Sequence, residues 1–267
     1  MSEESVTVEQ IGLGPIDVGA MLFTLVEPHR GHEVAYNRWY ERDHFYAGCM
    51  IGAGNFAGRR WVAPRPYKDR RYVPEGSPVA PDTLTGSYLA LYWVLDGMLA
   101  DWNRWAYRQL KQLHVDSRMF PDRDHVHTLL YTRDAVQYRD PDPVPAALAL
   151  DHPFKGLTVV IGEATGDRSE MDAWYDEQAL FESAALRITW TPMPLLVDAP
   201  GVKKQEGGGA KFVQLYFLDA DPAEVVDAQG LADHAKALEG SGLGRVDWAG
   251  PFIPTIVGTD TYTDQLW

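Results

Sequence analysis

Apolar and polar positions along the chain fall into the same order twice. The run Ala20-Met21-Leu22-Phe23-Thr24-Leu25-Val26 reads as a buried strand, and Leu157-Thr158-Val159-Val160-Ile161 holds the matching place later in the sequence. A helical stretch comes after each, over about His32 to Met50 and about Arg168 to Leu186, with Ser169 placed to cap the second. Two strands come next in each part: Gly58–Val62 and Tyr88–Val94, then Arg187–Trp190 and Phe212–Phe217. Second helices are predicted at about Met98 to Leu113 and Ala223 to Leu238, and closing strands at about Val126 to Thr132 and Phe252 to Val257. Each half therefore reads strand, helix, strand, strand, helix, strand, the split βαβ order in which two helices cover one face of a four-stranded antiparallel sheet.

Such a sheet still has one bare face, and a duplicate sheet can cover it. The expected class is α+β: two tandem ferredoxin-like (βαββαβ) repeats packed sheet to sheet as a pseudo-dimeric α/β barrel. Proline-rich Arg139–Pro145 can extend neither a helix nor a strand ladder and marks the join. The repeats are taken as 1–140 and 154–267, with 141–153 as linker. Two long loops interrupt the pattern, Pro64 to Thr85 and Asp198 to Ala210; the Gly207-Gly208-Gly209 run in the second lacks the strand-to-helix setting of a phosphate loop.

A motif supports the duplication. Trp39-Tyr40-Glu41-Arg42-Asp43-His44 and Trp174-Tyr175-Asp176-Glu177-Gln178-Ala179 stand 135 residues apart, and only the first carries a histidine. The simplest reading of the shared Trp-Tyr pair is a helix face packed on a sheet. The unshared imidazole points instead to chemistry on one side of the molecule.

Composition narrows the field. A net charge of -14 repels a phosphate backbone, so no nucleic acid partner is expected, and the basic run Arg59, Arg60, Lys68, Arg70, Arg71 reads as a solvated face. No apolar run approaches the ~20 residues of a membrane span, and acidic Met1–Ser5 does not resemble a secretory signal, so a cytoplasmic protein without membrane attachment is expected. Cys49 is the only cysteine, which excludes an intrachain disulfide and an all-thiolate zinc site. Aromatic residues at 12%, nine of them tryptophan, suit a pocket for a flat organic molecule.

His44 is the leading candidate for acid-base work, because imidazole titrates near neutrality and can both take and give a proton. Asp43 lies about 100 degrees away on a helix, so Tyr40, four residues earlier, is the better neighbour. His125 and His127, two apart on a strand, are expected to share a face; with His44 they would form a proton relay or hold a divalent metal. Trp61, Tyr88 and Tyr92 would supply pocket walls, and Arg59 or Arg60 would meet a carboxylate or enolate.

The helix Trp39–His44, followed by Gly54-Asn55-Phe56-Ala57-Gly58-Arg59-Arg60-Trp61, resembles the dimeric α/β barrel superfamily, near its EthD-like, antibiotic-biosynthesis monooxygenase and stress-responsive groups, here in a tandem fused form. The resemblance covers both halves in element order and the first half in motif. It implies a barrel enzyme, and such barrels include cofactor-free oxygenases, cyclases, lactone isomerases and haem enzymes. The expectation is an enzyme acting on a small hydrophobic, aromatic or polyketide-like molecule by cofactor-free chemistry as an isomerase, cyclase, lyase or monooxygenase. His44, His125, His127 and Tyr40 would be catalytic, Trp61, Tyr88, Tyr92 and Arg59 would bind substrate, and no metal is expected. The resemblance also implies an alternative, a haem or metal enzyme with His114 or His234 as axial ligand; a third reading, favoured if His44 has no access to a cavity, is a non-catalytic binding protein for a lipophilic compound. A homodimer of the whole chain is compatible with these readings.

Overall fold

A computed structural model of the chain describes residues 16–193 and 208–267. Eight antiparallel strands close into a barrel: β1 (Val18–Pro28), β2 (Asn55–Val62), β3 (Tyr88–Leu95), β4 (Arg123–Tyr138), β5 (Gly156–Ala164), β6 (Ala184–Met193), β7 (Lys211–Leu218) and β8 (Gly244–Pro254). Around the ring they run β1-β3-β2-β8-β5-β7-β6-β4, so the first four strands lie in the order β4-β1-β3-β2 and the last four in the order β8-β5-β7-β6. Six α-helices are described: α1 (Glu33–Trp39), α2 (Arg65–Lys68), α3 (Leu99–Val115), α4 (Arg168–Glu177), α5 (Pro222–Val225) and α6 (Ala228–Gly240). α1 runs directly into a π-helix, Tyr40–Met50.

Period-two alternation decides what each strand puts inside. On β3, Leu89, Leu91 and Trp93 join the barrel interior with Phe23, Leu25, Trp61, Trp190, Phe217 and Trp248, whereas Tyr88, Ala90 and Tyr92 face outward beneath α1 and the π-helix. The interior is thus a packed hydrophobic core. The Ile161-bearing strand β5 and its neighbours send Val160, Phe212 and Tyr216 outward to meet Met171, Tyr175, Leu231, Ala235 and Leu238 from α4 and α6.

Several boundaries differ from the sequence pattern for identifiable reasons. β4 is sixteen residues long because its first part pairs with β1 and its second with β6, which joins the two strand groups. β8 begins at Gly244, earlier than expected, because Arg245 and Asp247 are strand residues that pair with each other at 2.9 Å. α4 is capped by Asp167, which accepts from the Ser169 amide at 2.8 Å, and it stops at Glu177. The loop after β2 folds around buried cations: Arg71 donates to the Thr83, Thr85 and Gly86 carbonyls, and Lys68 to Ser87 and the Leu266 carbonyl. With Arg60 also buried, the basic run read as a solvated face is largely interior. Most of the Asp198–Ala210 loop lies outside the described residues.

The seams between the strand groups are unequal. β4 and β6 pair from Leu130 to Tyr138, whereas β2 and β8 pair only through Trp61–Pro254 and Val62–Ile253. Beyond β8 the chain crosses back over the first half: the Thr259 carbonyl accepts from Asn37 at 2.8 Å, Asp260 pairs with Arg38, and the Gln265 carbonyl accepts from the Arg65 amide at 2.7 Å.

Candidate functional site

The Trp-Tyr-acid motif has a structural use in both halves. Glu41 pairs with Arg60 of β2 at 3.0 Å, and Arg60 lies 4.5 Å over the Tyr40 ring. Asp176 pairs with Arg187 of β6 at 3.1 Å, and Arg187 lies 5.0 Å over the Tyr175 ring. Each motif therefore clips its helix to a strand arginine.

Past the motif the two halves diverge. In the first half a cavity of about 380 Å³ separates α3 and the π-helix from the outer face of β1 and β4. Its floor is Leu22, Thr24 and Val26 of β1 with His125, Thr128 and Leu130 of β4; its walls are Tyr40, His44, Gly48 and Cys49 on one side and Trp102, Ala106, Leu110 and His114 on the other. In the second half the corresponding sheet face is filled by one continuous cluster in which Phe181 packs on Tyr216 and His234 contacts both Tyr175 and Phe181. The hollow thus lies under helices of the first half and outside the packed barrel interior.

π-helical winding sets the position of His44. Residues five apart lie about 140 degrees apart on an α-helix, but the wider turn brings them together. Trp39 accordingly stacks on the His44 ring at 4.4 Å and 19°, with Tyr40 meeting it edge-on at 5.3 Å. Gly48 leaves room for the ring, since a Cβ there would sit 2.6 Å from His44 Cε1. Asp43 points away and pairs with Arg118. His44 is 8% exposed, its Nδ1 is buried without a hydrogen-bond partner, and burial, with Arg123 and His125 close by, lowers its pKa to about 3. The imidazole is therefore neutral at pH 7, and Nε2 is the nitrogen left to meet a ligand.

The expectation that His125 and His127 share a face is overturned by a β-bulge. Leu25 pairs with His127 and Val26 with His125, so Val126 is an extra residue and the alternation breaks between the two histidines. His125 faces the cavity, where its Nδ1 meets Thr128 Oγ1 at 2.9 Å, and Thr128 meets Thr24 Oγ1 at 3.0 Å. His127 points into the barrel, 2.6 Å from the Tyr131 hydroxyl and edge-on to Phe23, beside a separate hollow of about 120 Å³. It cannot form a relay with His44. Burial lowers both pKa values, to about 4 for His125 and about 3 for His127.

None of the four residues expected to bind substrate lines the main cavity. Trp61 is wholly inside the barrel core, and Arg59 lies over it at 4.8 Å while donating to the Leu150 and His152 carbonyls. Tyr88 packs against Tyr36 and Arg60, and Tyr92 spends its hydroxyl on Tyr40 at 2.8 Å. Tyr40 itself does line the cavity. Sequence reasoning misses Thr24, Thr128, Gly48, Lys111 and Arg123 as lining residues; Thr24 is signalled as a polar residue within an apolar strand, the others by nothing local.

The donor sets bear on metal or haem. Among the described residues no three His, Cys, Asp or Glu side chains converge on one point. A ligating histidine ordinarily ties its second nitrogen to a carbonyl or carboxylate. His44 lacks that tie; His114 has it, 2.8 Å from the Leu110 carbonyl, but stands exposed at the helix end; His234 contacts the Tyr175 hydroxyl at 3.3 Å, away from the cavity. Of the cavity histidines, His125 is enclosed and ties its Nδ1 to a hydroxyl, Thr128 Oγ1 at 2.9 Å, rather than to a carbonyl or carboxylate.

No family model matches the chain, and no curated protein matches it by sequence. No described helix is long and apolar enough to cross a membrane. Among solved structures, an anthrone oxidase-like protein is similar at 10% identity and TM-score 0.46, covering 91% of this chain and 95% of that one. A haem complex of a DypB variant from Rhodococcus jostii RHA1 is similar at 14% identity and TM-score 0.45, covering 93% and 94%. A chlorite dismutase-like protein is similar at 12% identity and TM-score 0.50, covering 94% of this chain and all of that one, a likeness of fold.

Proposed function

We propose that the chain is a tandem fused α/β barrel enzyme whose first half, residues 1–140, carries out histidine acid-base chemistry on a small aromatic or polyketide-like molecule, while residues 154–267 complete the barrel. The repeated strand order and the paired arginine clips support the fusion. The observation that carries the functional reading is His44, held neutral in the wall of a largely apolar cavity whose counterpart in the second half is filled with side chains.

In this reading neutral His44 takes a proton from an acidic C–H or O–H of the substrate, and the electron pair moves to the substrate oxygen. A base with a pKa near 3 is weak on its own. Once negative charge develops beside it, the imidazolium gains a partner and its pKa rises, so the proton moves when substrate is in place. In this reading His125, whose Nδ1 is held by Thr128, and Tyr40, whose hydroxyl is paired with that of Tyr92, would stabilise the oxyanion. Isomerisation, cyclisation, elimination and cofactor-free oxygenation all begin with this step. The reading takes no cofactor.

The test is solvent deuterium exchange into enolisable aryl ketones, 2-tetralone and 1-indanone among them, followed by proton NMR. Exchange above buffer by the wild type, reduced at least a hundredfold in His44→Ala, is expected. Equal rates for the two proteins, or no exchange above buffer across the ketones, overturns the reading.

A further inference from the structure

The cavity lining includes Lys111, Arg123, His44, His114 and His125, and not one aspartate or glutamate, although the chain as a whole carries a net charge of -14. We infer that its ligand is an amphipathic organic anion, an aromatic carboxylate or comparably acidic phenol, whose charged group lies against Arg123. This deepens the functional reading above, resting on it for the site while adding the substrate class.

Arg123 is the anchor because it is drawn in from solvent and left without an acid. Its sequence neighbours turn away: Asp122 meets His32 at 3.3 Å and Asp124 meets His29 at 3.2 Å. Asp43 is taken by Arg118. Among the described residues the Arg123 guanidinium makes no ion pair and no hydrogen bond, and its contact is the Trp39 ring at 4.8 Å, the ring that also stacks on His44. A partly buried guanidinium held by an aromatic face keeps its five N–H donors for a planar acidic group.

The cavity is polarised along its length. On the floor the pairs run from Leu22–Leu130 through Thr24–Thr128 to Val26–His125, with Arg123 beyond, a span of roughly 20 Å at strand rise. α3 repeats the gradient, from Trp102 and Ala106 to Lys111 and His114. A molecule with an aromatic body and an acidic end fits one way round, its body on Leu22, Leu130 and Trp102 and its charge at Arg123. His44 and Arg123 share Trp39, so the acidic end lies beside the proton acceptor, and an anion there also relieves the repulsion that Arg123 exerts on a protonated His44.

Calorimetry with naphthalene-2-carboxylate and its uncharged match, naphthalene-2-carboxamide, tests this without any need for turnover. Wild type is expected to bind the carboxylate at least tenfold more tightly than the amide. Arg123→Met, which keeps the stem, should remove that preference and leave the amide affinity within twofold, with near-ultraviolet circular dichroism confirming the fold. Should Arg123→Met fail to fold, Lys111→Met is expected to weaken the carboxylate about threefold and the amide not at all. Equal affinity of wild type for both probes, or full carboxylate preference in a folded Arg123→Met, overturns the inference. His44→Ala separates the two ideas: it should keep the carboxylate preference while losing deuterium exchange, so failure of the proton chemistry and failure of the charge recognition show in different assays.

Discussion

Adding one methyl group at Gly48 should disable the site with little harm to the fold. The new Cβ would lie 2.6 Å from His44 Cε1, 2.8 Å from Nδ1 and 3.1 Å from Nε2. Ordinary contact begins at 3.4 Å, so the ring must shift by about 0.8 Å. It has little freedom to do so, because Trp39 lies parallel to it at 4.4 Å and Tyr40 stands edge-on at 5.3 Å. Overpacking of this kind costs roughly 1–3 kcal/mol. Alanine regains about 0.8–1.0 kcal/mol over glycine in a helix interior, an offset that leaves a net loss near 1 kcal/mol. The catalytic effect is larger, since a misplacement of about 1 Å can cost on the order of a hundredfold. Gly48→Ala should therefore unfold in urea only slightly earlier than wild type while deuterium exchange into 2-tetralone falls ten- to a hundredfold. A Gly48→Ala protein that is more stable than wild type and exchanges at the same rate would show that this glycine does not hold the ring's place.

Acid should destabilise the protein well above the carboxylate range. His44 and His127, with pKa values lowered to about 3, and His125 and His234, lowered to about 4, are neutral in the fold, whereas the unfolded chain takes up these protons near pH 6.5. Stability is complete above that pH and falls as the pH drops toward 4, by up to about 1.4 kcal/mol per unit for each histidine. Glu27, Asp134 and Asp247, whose pKa values burial raises, oppose this at lower pH. Urea midpoints at pH 7, 6 and 5 check the prediction, and a flat series refutes it. The two arginine clips should respond unequally: Glu41→Gln strands buried Arg60 and should cost about 3 kcal/mol, whereas Asp176, 65% exposed, should cost under about 1 kcal/mol as Asp176→Asn. Equal losses in urea denaturation would remove burial as the explanation. Tyr40→Phe breaks the hydroxyl pair with Tyr92 and should cost about 1 kcal/mol, with exchange reduced less than in His44→Ala; a larger reduction would make Tyr40 the principal group.

Period-two and period-3.6 patterns are enough to place the strands and long helices, because nearly every strand here has one face in the barrel core and one under a helix. The site is less legible. His44 and Tyr40 stand out through a motif repeated without its histidine, and both line the cavity. Two local irregularities hide the rest. A π-turn leaves no apolar period to count, so the stacking of Trp39 on His44 cannot be read from α-helical spacing. One extra residue at Val126 breaks the alternation, and for that reason alone His127 faces the core while His125 faces the cavity. Arg59 and Trp61 have the residue types of a pocket, whereas strand parity turns both away from it. Arg123 is inconspicuous between two aspartates whose partners, His29 and His32, lie almost a hundred residues earlier.

Two rungs between β2 and β8 are a thin closure for a ring of eight strands, and the segment beyond residue 254 takes up the load by gripping Asn37, Arg38 and Arg65. During synthesis these contacts with the amino-terminal half are the last that can form. Its helices can collapse onto their own strands early, but α1, which leads directly into the turn bearing His44, acquires its last tethers, ending with the Trp267 indole on Glu33, only after residues 255–267 have left the ribosome. Nascent chains halted before that point should bind the naphthoate probe poorly even though every cavity-lining residue has already been made.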